Sequence, residues 1–273
     1  MKFAIVGGQR VEAFPRGNAE CPGCHGEVIA KCGTHRMPHW AHRGLRNCDP
    51  WAEKEKEWHR AWKNQFPAEC QEVIQYDEKS GEKHIADVRT PHGLVIEFQH
   101  SHLNPQERIA RESFYGNMLW VVDGTRLQRD YPRFVNNAKN SLRETNNRGY
   151  FLTGFPDECF PPLWLDSSAP VIFDFRVWDE SQPPDVSRGI LWCLLPGRAE
   201  GSAVVMAMSR EQLVAIVPTW SDLLWVQKTV AGFGQRIREA RAAENSLEAQ
   251  RRYGPFAGMP GGMAPRPRRS RRF

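Results

Sequence analysis

A chain of 273 residues with 40% apolar and 25% charged content is long enough to bury a sizeable core, so its bulk properties exclude a wholly unfolded chain and fit one to two domains with appendages. The formal charge of +5 is concentrated at one end: Pro265 to Phe273 holds Arg266, Arg268, Arg269, Arg271 and Arg272 and no acid, which leaves the body formally neutral. This excludes a body that binds nucleic acid as a general polyanion, so any DNA contact must rest on a local site with the tail as an accessory.

The N-terminus turns polar at Gly7-Gly8-Gln9-Arg10, too early for a signal peptide, and no run reaches membrane-spanning length. Seven cysteines at uneven spacings fit a reduced compartment with a metal site better than a disulfide framework, and the expected location is the cytoplasm. Composition divides the chain into a Cys/His-rich module at 1–50, an alternating helix and strand region at 51–150, a C-terminal α+β domain at 151–252 and a disordered basic tail at 253–273.

Within the first region, Lys2 to Val6 and Glu27 to Lys31 read as strands, and Cys21-Pro22-Gly23-Cys24 is followed by His39-Trp40-Ala41-His42. Thiolates and imidazoles are preferred ligands of zinc, and two short-spaced pairs close a tetrahedron without a large domain around them. Cys21, Cys24, His39 and His42 are therefore the expected ligands, with Cys32, Cys48, His25 and His35 as rivals. Four protein ligands leave no open position, which makes such a site structural.

Trp51 to Phe66 reads as a helix that ends before Pro67, and Trp51, Glu55, Trp58 and Trp62 fall on one stripe, which turns the Glu55 carboxylate inward. His59 and Lys63 continue the same edge. Val73 to Tyr76, His84 to Thr90 and Leu94 to Ser101 read as strands, the last two joined by a turn at Pro91-His92-Gly93. Asp87 and Glu97 interrupt otherwise apolar strands, and alternation sets Glu97 and Gln99 on one face. Converging carboxylates are what Mg²⁺ or Mn²⁺ requires. A capped helix then runs from Asn104-Pro105-Gln106-Glu107 to about Asn117 with Arg108, Arg111 and Tyr115 on one side, and Met118 to Val122 forms a strand. Beyond the Pro-rich passage, strands are expected at Val171 to Trp178, Gly189 to Leu195 and Ala203 to Met208. A short helix from Ser209 and a longer one from Ser221 to Arg252 follow.

The order Cys21-x-x-Cys24, His39-Trp40-Ala41-His42, Glu55-x-x-x-His59-x-x-x-Lys63, Ala86-Asp87-Val88, Ile96-Glu97-Phe98-Gln99-x-Ser101 and Arg111-x-x-x-Tyr115 resembles the competence protein CoiA-like family over about residues 18–124. The resemblance implies a restriction-endonuclease-like mixed sheet flanked by helices and a role in processing incoming DNA. It also implies metal-binding roles for Asp87 and Glu97, an accessory acid at Glu55 and a third active-site position at Gln99. Restriction-type nucleases usually carry Lys at that third position, so His59, Lys63, Lys83 and His84 are the candidates for the missing charge or proton handling.

Two classes of function compete. The first is a divalent-metal-dependent nuclease acting on DNA, with a possible protein partner on the C-terminal domain. The second is a non-catalytic, zinc-containing nucleic-acid-binding module. Mg²⁺-dependent cleavage separates them.

Overall fold

Two sheets organise the computed structural model, which describes residues 1–33, 37–44, 48–51, 55–78, 81–176 and 188–253. His35, Trp178 and the basic tail lie outside the described residues. The first sheet contains β1 (Phe3–Val6), β2 (Gln9–Glu12), β3 (Asn18–Glu20), β4 (Glu27–Lys31) and β5 (His39–His42) in the order β2-β1-β3-β4-β5, every pair antiparallel. Sequence pattern predicts only β1 and β4. The other three strands are three or four residues long and half-exposed, too short for a periodicity to register. Ala4, Cys21, Val28, Trp40 and Cys48 form the core of this sheet.

The second sheet has nine strands, and its order follows from which strands are apolar on both faces. β9 (Met118–Asp123) lies near its middle. Met118, Trp120 and Val122 enter one core, whereas Leu119 and Val121 enter the core on the opposite face. β8 (Val95–Gln99) pairs parallel on one side of it and β12 (Val171–Asp174) parallel on the other. β7 (Lys83–Arg89) and β6 (Gln71–Tyr76) continue antiparallel beyond β8. On the other side β13 (Ile190–Leu194), β14 (Ala203–Ser209), β11 (Tyr150–Thr153) and β10 (Arg143–Glu144) follow in that order. The helices cover both faces. α1 (Glu57–Lys63), α5 (Arg210–Ile216) and α6 (Leu224–Tyr253) pack on one side, and α2 (Pro105–Tyr115), α3 (Asp130–Ser141) and α4 (Pro156–Cys159) pack on the other. The result is a mixed α/β architecture.

Four expectations change. The helix predicted from Trp51 begins at Glu57, because Asp49 Oδ1 accepts the Trp51 N–H at 2.9 Å and the Trp51 ring stacks on His84 with centroids 3.2 Å apart. Glu55 therefore stands in the segment before the helix. The strand predicted to Trp178 ends at Asp174. Residues 125–149, where the sequence pattern marks no element, hold α3 and β10. The boundary between 150 and 151 falls inside the large sheet, where Val171 to Asp174 pairs with Trp120 to Asp123. A strand as apolar as β9 needs a hydrogen-bonded partner on each edge, and the C-terminal segment supplies one of them.

Candidate functional site

The strand register places Glu72, Asp87 and Glu97 side by side across β6, β7 and β8. β6 and β7 pair at Gln71 with Val88 and at Val73 with Ala86, and β7 and β8 pair at Val88 with Ile96. The regular ladder stops on both sides of Asp87. The Asp87 N–H instead donates to Glu97 Oε1 at 3.2 Å, and the Phe98 N–H donates to Asp87 Oδ2 at 3.0 Å. Each carboxylate thus takes a hydrogen bond that a strand carbonyl would otherwise accept. The strands part at the two acids, and both acids line one cavity of about 70 Å³.

Glu72 was missed because the strand read from the sequence starts at Val73. Its backbone is left-handed, with φ of 46°, and its carboxylate accepts the N–H groups of Lys2 at 2.7 Å and Phe3 at 3.1 Å. That tether holds a conformation a non-glycine residue otherwise avoids and joins the two sheets. Lys63 Nζ lies 2.7 Å from both Glu72 Oε1 and Glu55 Oε1. Burial pulls the Lys63 ammonium towards neutrality, but Glu72 and Glu55 outweigh it and raise its pKa, so it stays charged. The same pairing holds the buried Glu72 carboxylate well below its usual range. His59 Nε2 is 2.8 Å from Asp87 Oδ1. Burial alone would raise the Asp87 pKa, but His59, Lys63 and the Phe98 N–H lower it. Glu97 goes the other way: burial, reinforced by repulsion from Asp87, pushes its carboxyl up to about 8 against the pull of Arg111. Arg111 Nη1 donates to Glu97 Oε2 at 3.1 Å, and Arg111 Nη2 donates to the Trp51 carbonyl at 2.8 Å.

Of the expected site residues, the structure brings Glu55, Asp87 and Glu97 to one cavity and leaves Gln99 outside it. Gln99 keeps the face of Glu97, but its Nε2 donates to the Ser101 carbonyl at 3.3 Å, and it lines a separate pocket. Among the candidates for a cationic or proton-handling group, His59 and Lys63 line the cavity. Lys83 donates to the Gly23 carbonyl, and His84 is held between Asp49 and Glu82. Arg108 is a structural ion pair with Glu112, its Nη1 donating to the two carboxylate oxygens at 2.8 and 2.9 Å. Asp49, also missed, lines the cavity, where its Oδ2 accepts the Ile85 N–H at 2.8 Å. Its place directly after Cys48 was the available signal. The oxygen donors of Asp87 and Glu97, on rigid strands with the Asp87 side chain 18% exposed, fit a hard divalent cation.

The second cluster lies just beyond this cavity. Ligand atoms of Cys21, Cys24, His42 and Cys48 fall within 4.8 Å of one another and make a centre able to hold zinc. His39 is not part of it. On β5, residues three apart face opposite sides, so an H-x2-H pair cannot converge, and His39 Nδ1 instead lies 2.9 Å from the Met37 carbonyl. Cys48 takes the fourth place, its Sγ 3.5 Å from that of Cys21. Burial and the neighbouring thiols push the Cys48 thiol up to about 12 without a cation. Glycine suits position 23, since a Cβ there would lie 3.1 Å from Cys48 Sγ, tighter than an ordinary contact. Cys48 and Asp49 are adjacent, so one turn of chain serves both centres.

Fold and site together define a two-sheet α/β protein in which a Cys3His cluster abuts a carboxylate cavity. Residues 16–50 match the family model for the competence protein CoiA, N-terminal domain, and this supports assignment of the chain to the CoiA-like family. The matched segment contains all four cluster residues and Asp49 but not Asp87 or Glu97. No curated protein and no solved structure matches the chain. Among the described residues, no helix is long and apolar enough to cross a membrane.

Proposed function

We propose that this chain is a divalent-metal-dependent DNA nuclease with a restriction-endonuclease-like core, acting in the processing of incoming or mobile DNA. The observation that carries the reading is the opening of the β7–β8 ladder at Asp87 and Glu97, which turns two strand carboxylates into one cavity. Those carboxylates would hold Mg²⁺ or Mn²⁺, which when bound lowers the pKa of a water and offsets charge on the phosphodiester. The residues around them do the rest. Arg111 fixes the orientation of Glu97, and His59 fixes that of Asp87. Lys63 stands in for the lysine that restriction-type sites carry where this chain has Gln99, reaching the cavity from α1 instead of β8. Because Lys63 stays protonated, its role is electrostatic and not that of a general base. Glu55 and Glu72 balance its charge from behind.

The Cys3His centre would hold zinc in a structural role, since four protein ligands leave no open position. The test is incubation of supercoiled plasmid with the purified protein and Mg²⁺ or Mn²⁺ against an EDTA control. Nicking or linearisation that requires the cation is expected. Intact plasmid bound with ordinary affinity would favour a non-catalytic DNA-binding module.

A further inference from the structure

A second cavity, of about 360 Å³, lies on the same face of the large sheet as Glu97 and falls within the size range of small-molecule sites. Its wall is aromatic: Trp164, Phe173 and Phe175 line it. Its polar lining carries charges of both signs, Asp123 and Asp130 beside Arg126 and Arg129. Arg126 and Arg129 are exposed there, and no carboxylate lies within ion-pair distance of either among the described residues. Asp130, at the start of α3, is 7% exposed, and its Oδ1 has no hydrogen-bond partner among the described residues, the charges of Arg133, Arg126 and Arg129 reaching it only through space. A buried carboxyl oxygen left unsatisfied is costly unless a ligand completes it. Gln99 contributes an amide to the same wall. Flat apolar walls, an unmet polar group and exposed guanidiniums at the mouth suit a planar heterocycle with hydrogen-bonding edges that is attached to a phosphate.

The position says which such group. Glu97 and Gln99 are two residues apart on one strand face, roughly 7 Å, so one strand of nucleic acid can reach both cavities. We propose that this pocket receives one unpaired nucleobase of the strand held at Asp87 and Glu97, with the phosphate of that nucleotide against Arg126 and Arg129. A base can enter only after leaving its stack, so the substrate is single-stranded DNA or a duplex with an unpaired nucleotide. That the base belongs to a strand held at Asp87 and Glu97 rests on the nuclease reading; the fit of the cavity to a planar base does not.

Binding of labelled five-nucleotide single strands to the full-length Asp87→Asn protein, followed by fluorescence anisotropy, tests the proposal without turnover. A single abasic substitution walked along the strand should weaken binding about tenfold at one position and little elsewhere, in line with the cost of losing one stacked base. A fully paired duplex should bind at least about tenfold more weakly than the single strand. Replacing both Arg126 and Arg129 by alanine, at exposed positions that leave the fold intact, should lower affinity about tenfold. A flat abasic profile, a duplex bound as tightly as the single strand, or unchanged affinity in the double variant would overturn the pocket. A position-dependent profile in a protein that fails to cut plasmid with Mg²⁺ would support the base pocket and remove the nuclease reading, so the two failures are distinguishable.

Discussion

Lys63 is 2% exposed and carries its charge between Glu55 and Glu72, so its worth is best measured by what its loss leaves behind. Lys63→Met keeps most of the side-chain volume but strands two buried carboxylates, and thermal or denaturant melts should show a loss of about 3–5 kcal/mol. A loss under about 1 kcal/mol would mean that water reaches the cluster. Glu97 gives a prediction of opposite character. Its folded pKa of about 8 lies above its ordinary 4.5, so the folded state holds an extra proton between those values. Stability of the cation-free protein is then intact below about pH 4.5 and declines as pH rises through about 8. A divalent cation must displace that proton and cancels the repulsion from Asp87. Stabilisation by Mg²⁺ in melting experiments should therefore grow between about pH 6 and pH 9, and a stabilisation independent of pH across that range would count against Glu97 as a ligand.

At the scale of elements, two short stretches do most of the positioning. The β7–β8 hairpin was legible because its apolar strands are interrupted once each, at Asp87 and Glu97, and because Gly93, with φ of 89°, supplies the turn that sets them opposite each other. Alternation along β8 was legible as well, and it correctly gave Gln99 the face of Glu97. Alternation fixes a face and not a destination, however, and the next cavity along took the Gln99 side chain. Glu55 reached the cavity without the helix that was expected to carry it, because Lys63 and Arg60 hold it from α1. The Cys/His motif was read with His39 where the structure places Cys48, since its spacing was weighed without the knowledge that β5 is a strand. The correction is testable by metal analysis of protein prepared without chelators. His39→Ala should retain one equivalent of zinc, whereas Cys48→Ser should lose most of it. Equal loss in both would restore His39 to the site.

At the scale of the whole molecule, the chain behaves as one sheet system and not as a core followed by an independent domain. Asp174 on β12 accepts from Trp58 Nε1 at 3.1 Å and Trp62 Nε1 at 2.9 Å, and Arg210 of α5 pairs with it. This junction joins α1, which carries His59 and Lys63, to the C-terminal half. A polypeptide of residues 1–150 would expose the edge of β9 that β12 pairs with and the apolar faces that the C-terminal residues cover. It should aggregate or lack a cooperative melt, and a sharp unfolding transition in that fragment would show that the N-terminal part stands alone. The small sheet is bound into the same system through Glu72, which explains how a cluster able to hold zinc at Cys48 and a cavity at Asp49 come to lie side by side.

The central claim is that Asp87 and Glu97 hold the cation at which DNA is cut. Single-turnover cleavage by saturating Asp87→Asn protein, with DNA affinity measured in parallel, tests it most directly, because the substitution preserves shape and removes only the charge. The account predicts a fall of about two orders of magnitude or more in the cleavage rate with DNA affinity retained. A Mg²⁺-dependent rate unchanged from that of the unsubstituted protein would contradict it.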